Sequence, residues 1–291
     1  MIAPATHPPV PRHNLALPLL LPLPQPDCHS VTMLFLLSPA KTLDYDTPVP
    51  APVRKKATEP LFTGRAAELI AVLRKKSPAQ VADLMGLSAS LAGLNAARYQ
   101  AWQPAADEAN SKPALLAFDG DVYGGLDART LKTADLSWAQ DHLVILSGLY
   151  GALRPLDRLQ PYRLEMGTAL KTPQGRDLYA YWGDAVAEHI NERQADEAAP
   201  VVVNLASVEY SRVALRKALH ARVIDCVFED WKDGRYKVIS FFAKRARGLM
   251  ARHAVLQRVR RPAQLQSFAA DGYAFDEAGS APDRLIFRRR Q

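Results

Sequence analysis

From Met33 to the end of the chain, short and almost wholly apolar runs alternate with longer stretches of helical periodicity. That alternation leaves few folds open. The strand-like runs are Met33–Leu37, Ala114–Phe118, Leu143–Leu146, Val201–Leu205, Arg222–Phe228 and Tyr236–Phe242. Helical spacing with adjacent caps marks Gly64–Lys76, Pro78–Met85, Ser88–Trp102, Gly175–Arg193, Ser207–Leu219 and Ala243–Val259. Apolar strands set between amphipathic helices need cover on both faces, so the expected fold is α/β, a mixed sheet covered by helices. No internal repeat and no proline-rich linker follows residue 60, which makes residues 33–291 one expected domain.

Residues 1–32 read differently. They hold eight of the 22 prolines, a density that forbids a helix or a central strand. The apolar stretch Leu15–Leu23 is broken by Pro18 and Pro22, has no lysine-rich start and precedes no Ala-x-Ala site, unlike a secretory signal. The expectation is a disordered leader, or translation from a start upstream of the natural one at Met33.

Several function classes drop out. No run approaches the ~20 apolar residues that span a bilayer. Cys28 and Cys226 are too few for a disulfide framework and neither has a CxxC neighbour, which fits a reducing cytoplasm. The histidines are scattered singly, there is no phosphate-loop or dinucleotide fingerprint, and no metal or cofactor is expected. The formal net charge is +7, and Arg212–Arg261 holds fourteen Lys or Arg against four Asp or Glu, a local excess of ten. Such a segment is either a solvated surface or the footprint of a polyanion.

Two short helices are expected to meet at Gly86-Leu87-Ser88, with Ala92 four residues beyond. This resembles the Gly-hydrophobic-Gly turn of helix-hairpin-helix DNA-binding motifs, with Ser88 in place of the second glycine. A tight turn opening a helix presents free backbone N–H groups to a phosphate. Ser88 serves equally as an ordinary N-cap of a plain αα-hairpin. Other polar groups gather where strands end, the place α/β sheets hold ligands. Ser38 and Lys41 follow the first strand, and Lys41 is either a phosphate contact, an amine nucleophile or a surface lysine. Asp119 and Asp121 flank Gly120 in a glycine-rich turn and suit a hard cation, acid–base work or simple turn hydrogen bonding. Ser147, Tyr150, Arg154, Tyr162, Arg163 and Glu165 crowd the longest such loop, where the arginines fit phosphate or stiffen the loop by pairing with Glu165. Lys244, Arg245 and Arg247 lie near the start of a helix, against its dipole, and call for a carboxylate or a bound phosphate.

Taken in order, Leu37-Ser-Pro-Ala-Lys-Thr42, Phe118-Asp-Gly-Asp-Val-Tyr123, Leu146-Ser-Gly-Leu-Tyr-Gly151, Leu153-Arg-Pro155 with Asp157, Tyr162-Arg-Leu-Glu-Met166, Asn204-Leu-Ala-Ser207 with Glu209-Tyr210, and Lys244-Arg-Ala-Arg-Gly248 resemble the bacterial peroxide-stress family called YaaA. The resemblance runs from Met33 to about Arg288. It implies a cytoplasmic protein that binds DNA, limits oxidative damage and is linked to low free intracellular iron. It also implies an α/β fold with a helix-hairpin-helix and a positively charged cleft, and it brings no established catalytic residues.

Two functions are therefore expected. One is protection by binding double-stranded DNA without sequence preference, through Gly86, Leu87, Ser88, Lys244, Arg245 and Arg247, with no stable protein partner. The other is an enzyme acting on a nucleotide or nucleic-acid base. It would use a strand-end cleft in which Lys41, Asp121, Arg154 and Glu165 converge, with Lys41, Asp121 and Glu165 as catalytic candidates.

Overall fold

A computed structural model describes Met1 and residues 33–290; the expectation of a disordered leader therefore lies outside the described residues. The strand Met33–Leu37 is the centre of the molecule. All five of its side chains are buried, as a strand covered on both faces requires. Its parallel neighbours are Leu143–Ser147 on one side and Val201–Leu205 on the other. The parallel run continues through Arg222–Lys232 to Arg284–Arg289. Gly151–Leu153 closes one edge in the antiparallel sense. Tyr273–Phe275 and Ala269–Ala270 close the other edge, and Arg235–Lys237 folds back on Arg222–Lys232. Among the described residues this makes a mixed sheet of nine strands with helices packed on it, as expected. None of those helices is long and apolar enough to cross a membrane.

The order places a topological switch beside Met33–Leu37. The chain leaves it for a neighbour on one side and later returns to pair on the other. Ligands of open α/β sheets bind outside the carboxyl ends of strands at such a point.

Several sequence expectations shift. Ala114–Phe118 is not a strand: Ala114–Ala117 forms one helical turn and only Phe118–Asp119 is extended. Tyr236–Phe242 splits between the strand Arg235–Lys237 and a helix that starts at Ser240. The helix expected over Gly175–Arg193 becomes Leu178–Trp182 and Ala185–Arg193, broken at Gly183 with φ +52°. The glycine-rich turn after Asp119 is a short helix, Asp121–Leu126.

That short helix crosses the long helix Ser240–Gln257 with almost no space between their backbones. A Cβ built on Gly125 would stand 2.2 Å from the Arg245 carbonyl oxygen, and one on Gly248 would stand 1.9 Å from the Val122 carbonyl oxygen. The glycines serve the crossing rather than a turn. They fix the N-terminal half of the long helix, with its cations, against the strand-end loops.

Candidate functional site

Two strand exits and the short helix Asp121–Leu126 are stitched together at the carboxyl edge of the sheet. Ser38, just past the central strand, accepts a hydrogen bond on Oγ from the Ser207 amide at 2.9 Å, and its Oγ lies 3.3 Å from Ser207 Oγ. Tyr123 of the short helix donates its hydroxyl to the Ser38 carbonyl at 3.0 Å. The stitch follows from the register, since Leu37 and Leu205 are paired and each is followed by a polar loop.

Around this stitch lies a cleft of about 330 Å³. Its polar walls come from Ser38 and Lys41, from Asp119, Asp121 and Tyr123, from Ser207, Glu209 and Tyr210, and from Lys244 and Arg247. That volume suits a nucleotide-sized molecule, not a duplex. The charged side chains balance: Lys41, Lys244 and Arg247 face Asp119, Asp121 and Glu209. The lining is thus formally neutral, with its cations and carboxylates on different elements.

Lys41 and Glu165 meet as expected, with Lys41 Nζ 2.8 Å from Glu165 Oε2. Arg163 holds the other carboxylate oxygen at 3.0 Å. Burial would raise the Glu165 carboxyl, but hydrogen bonds from Lys41 and Arg163, and their charges, outweigh it and hold it below the usual range. The loop carrying Glu165 is fixed twice more. The Gly167 amide donates to Glu209 Oε1 at 2.9 Å, and the Tyr99 hydroxyl donates to the Arg163 carbonyl.

Arg154 stands apart from this group. Its guanidinium is taken by Asp157, at 2.9 Å in the ion pair, and by the Glu59 carbonyl at 3.1 Å. The cause is Gly151, whose φ of +66° reverses the chain so that Gly151–Leu153 runs antiparallel and carries Arg154 away from the carboxyl edge. Asp121 does line the cleft with Lys41. Of the four residues expected to converge, Lys41 and Glu165 are in contact, Asp121 shares the cleft with Lys41, and Arg154 stands apart.

Ser147, Tyr150 and Tyr162 are internal. Ser147 is fully buried, its Oγ 2.6 Å from the Tyr162 hydroxyl and accepting from the Tyr150 amide at 2.9 Å. Tyr150 in turn accepts from Trp102 Nε1 at 2.8 Å. Burial pushes the Tyr150 hydroxyl up to about 12, so it holds its proton and braces the wall.

The expected DNA-contacting trio divides as well. Arg245 turns to Asp271 at 3.7 Å, while Lys244 and Arg247 line the cleft. The helices Pro78–Met85 and Ala89–Ala101 do meet at Gly86-Leu87-Ser88. Gly86 sits at φ +63° and Ser88 caps the second helix by accepting from the Leu91 amide at 3.4 Å. A Cβ on Gly86 would meet nothing within 4 Å, so the turn needs glycine for its φ. Gly86, Ser88, Ala89 and Ser90 are exposed.

Ser207, Glu209, Tyr210 and Tyr123 were not expected in the site, since Ser207 reads from sequence only as an N-cap. The available signal was that Ser207 follows a strand that is apolar except for Asn204. Among the described residues no three histidine, cysteine or acidic side chains gather as a metal set.

The sequence profile of the family described as peroxide stress protein YaaA matches residues 33–279. Close relatives carry the name UPF0246 protein. That of Leptothrix cholodnii is 69% identical over 257 residues, 88% of this chain and 98% of the relative. Those of Albidiferax ferrireducens and Paracidovorax citrulli are 62% and 63% identical over 259 and 258 residues, each covering 89% of this chain and 99% of the relative.

Proposed function

Because the chain belongs to the YaaA peroxide stress protein family and so has a role in peroxide stress, we propose that it fills that role by binding double-stranded DNA without sequence preference. The observation that carries this reading is the excess of ten positive charges between Arg212 and Arg261. Much of that charge lies on exposed side chains, including Lys217, Lys232, Arg235 and Arg260. The turn at Gly86, Leu87 and Ser88, exposed at Gly86 and Ser88, adds helix-start amides of the kind that hold phosphate. Arg245, outside the cleft, belongs with this surface. Contacts of these kinds go to the backbone, which carries no sequence information. The link to lower free intracellular iron is placed in this reading as a consequence in the cell, not as a site on the protein.

Fluorescence anisotropy with labelled duplexes of unrelated sequence tests it. Four neutralised phosphates cost roughly 100-fold in affinity between about 50 and 200 mM salt. Equal affinity at the two salt concentrations, or strong preference for one sequence, refutes the proposal.

A second reading is favoured by the charge balance of the cleft. A polyanion is matched by a uniformly basic wall, whereas separated cations and carboxylates match a small molecule with an anionic end and hydrogen-bond donors. This is an enzyme or binding site for a nucleotide or nucleic-acid base.

A further inference from the structure

Arg247 is unlike the arginines around it. Arg163, Arg154, Arg245, Arg258, Arg288 and Arg289 each reach a carboxylate. Arg247 is half-buried in the cleft wall, its Nε is fully buried without a hydrogen-bond partner, and it makes no ion pair among the described residues. Asp225 is close enough for its charge to be felt but makes no ion pair with Arg247, and it accepts a hydrogen bond from Asn204 Nδ2 at 2.8 Å. A guanidinium carries five donors and stays charged, so leaving it half-buried with a buried donor unsatisfied is costly. Lys244 lies one helical turn earlier on the same wall and is also without an ion pair among the described residues. Lys244 is exposed, but the helix cannot retreat to expose Arg247, because the Gly125–Gly248 crossing clamps it backbone to backbone. Across the cleft, Asp119 and Asp121 have no cationic partner among the described residues and line the same space.

We propose that the cleft is a nucleotide subsite in which Arg247 and Lys244 take the phosphate, and Asp119 and Asp121 accept from hydroxyl or amino groups of the sugar and base. The proposal rests on the cleft reading and is independent of duplex binding. An arginine fork reads phosphate bidentately, and carboxylates accept from ribose hydroxyls and exocyclic amines. The cleft volume of about 330 Å³ fits one nucleotide unit. The donor is the same whether the phosphate belongs to a free nucleotide or to a nucleotide displaced from a single strand.

The test is calorimetric titration of the full chain with a nucleoside 5′-monophosphate, the same nucleoside without phosphate, inorganic phosphate and a short single-stranded oligonucleotide. The monophosphate is expected to bind at least tenfold more tightly than the nucleoside. Arg247→Met is expected to fold, since it breaks no ion pair among the described residues and removes an unsatisfied buried donor, and to lose at least tenfold for every phosphate-bearing probe. Arg247→Lys keeps the charge without the fork and is expected to fall between. Tighter binding of the monophosphate than of the oligonucleotide assigns the site to free nucleotides, and the reverse order assigns it to a strand. Equal binding of nucleoside and monophosphate, or an unchanged affinity in Arg247→Met, overturns the phosphate assignment while the cleft reading stands. Failure of every probe to bind overturns both.

Discussion

Gly248→Ala sets two effects of opposite sign against each other. Gly248 lies inside the helix Ser240–Gln257, where alanine is worth about 1 kcal/mol over glycine by helix propensity. The new Cβ would stand 1.9 Å from the Val122 carbonyl oxygen, 2.8 Å from its carbon and 2.9 Å from the Leu126 amide nitrogen. All three are backbone atoms of the crossing helix, so no flexible side chain can swing aside. Overpacking costs about 1–3 kcal/mol where side chains can adjust and more where they cannot. The overlap therefore wins, and the net loss is expected to be about 3 kcal/mol. In a chain of this size each kcal/mol moves the melting temperature by about 2–4 °C, so the midpoint should fall by about 6–12 °C. Gly93→Ala is the matched control, since Gly93 lies inside Ala89–Ala101 and a Cβ there meets nothing within 4 Å. It should raise the midpoint by a few degrees. Thermal melts by circular dichroism on the two variants decide the matter. A Gly248→Ala protein as stable as wild type, or two variants that move together, refutes the argument that close backbone contact selects glycine here.

The pair at Glu165 predicts a pH dependence. Its folded pKa lies below the ordinary 4.5, so its contribution is fully present above that pH and fades as pH falls through the folded value. The stability advantage of wild type over Glu165→Gln in urea unfolding should therefore shrink from about pH 6 to about pH 3; a constant gap contradicts it. Arg154→Ala strips the buried Asp157 of its cation and should cost about 1–3 kcal/mol in the same assay. Titration with a nucleoside monophosphate should be unaffected in that variant, and a parallel loss of binding would return Arg154 to the site.

The parts of the fold that were legible in sequence share one property. Met33–Leu37 is apolar throughout, and Leu143–Ser147 and Val201–Leu205 are apolar but for Ser147 and Asn204, because parallel central strands are covered on both faces. Arg284–Arg289 escaped notice because its apolar centre is flanked by arginines that find partners: Arg288 on Glu229 and Asp276, Arg289 on Asp230. Ala114–Ala117 was misread because a short apolar run has no period to tell helix from strand. In the site, Lys41 and Glu165 were legible because each lies in a loop at the carboxyl edge. Arg154 was misplaced because sequence distance from Ser147 does not show that Gly151 turns the chain back. Arg247 was visible only as an unfavourable charge near a helix start; that nothing among the described residues matches it is a property of the packed molecule.

The position of Met33–Leu37 also constrains how the chain acquires its structure. This strand is the first described segment to be synthesised, yet its neighbours begin only at Leu143 and Val201. Pairing across such separations pays loop closure before any contact rewards it, which slows folding. Until Leu205 has left the ribosome, a wholly apolar strand lacks at least one of its two partners and stays an edge open to the wrong ones. Nascent chains of this protein should therefore depend on holding factors more than their final stability suggests, and that dependence should end once the Val201–Leu205 strand emerges.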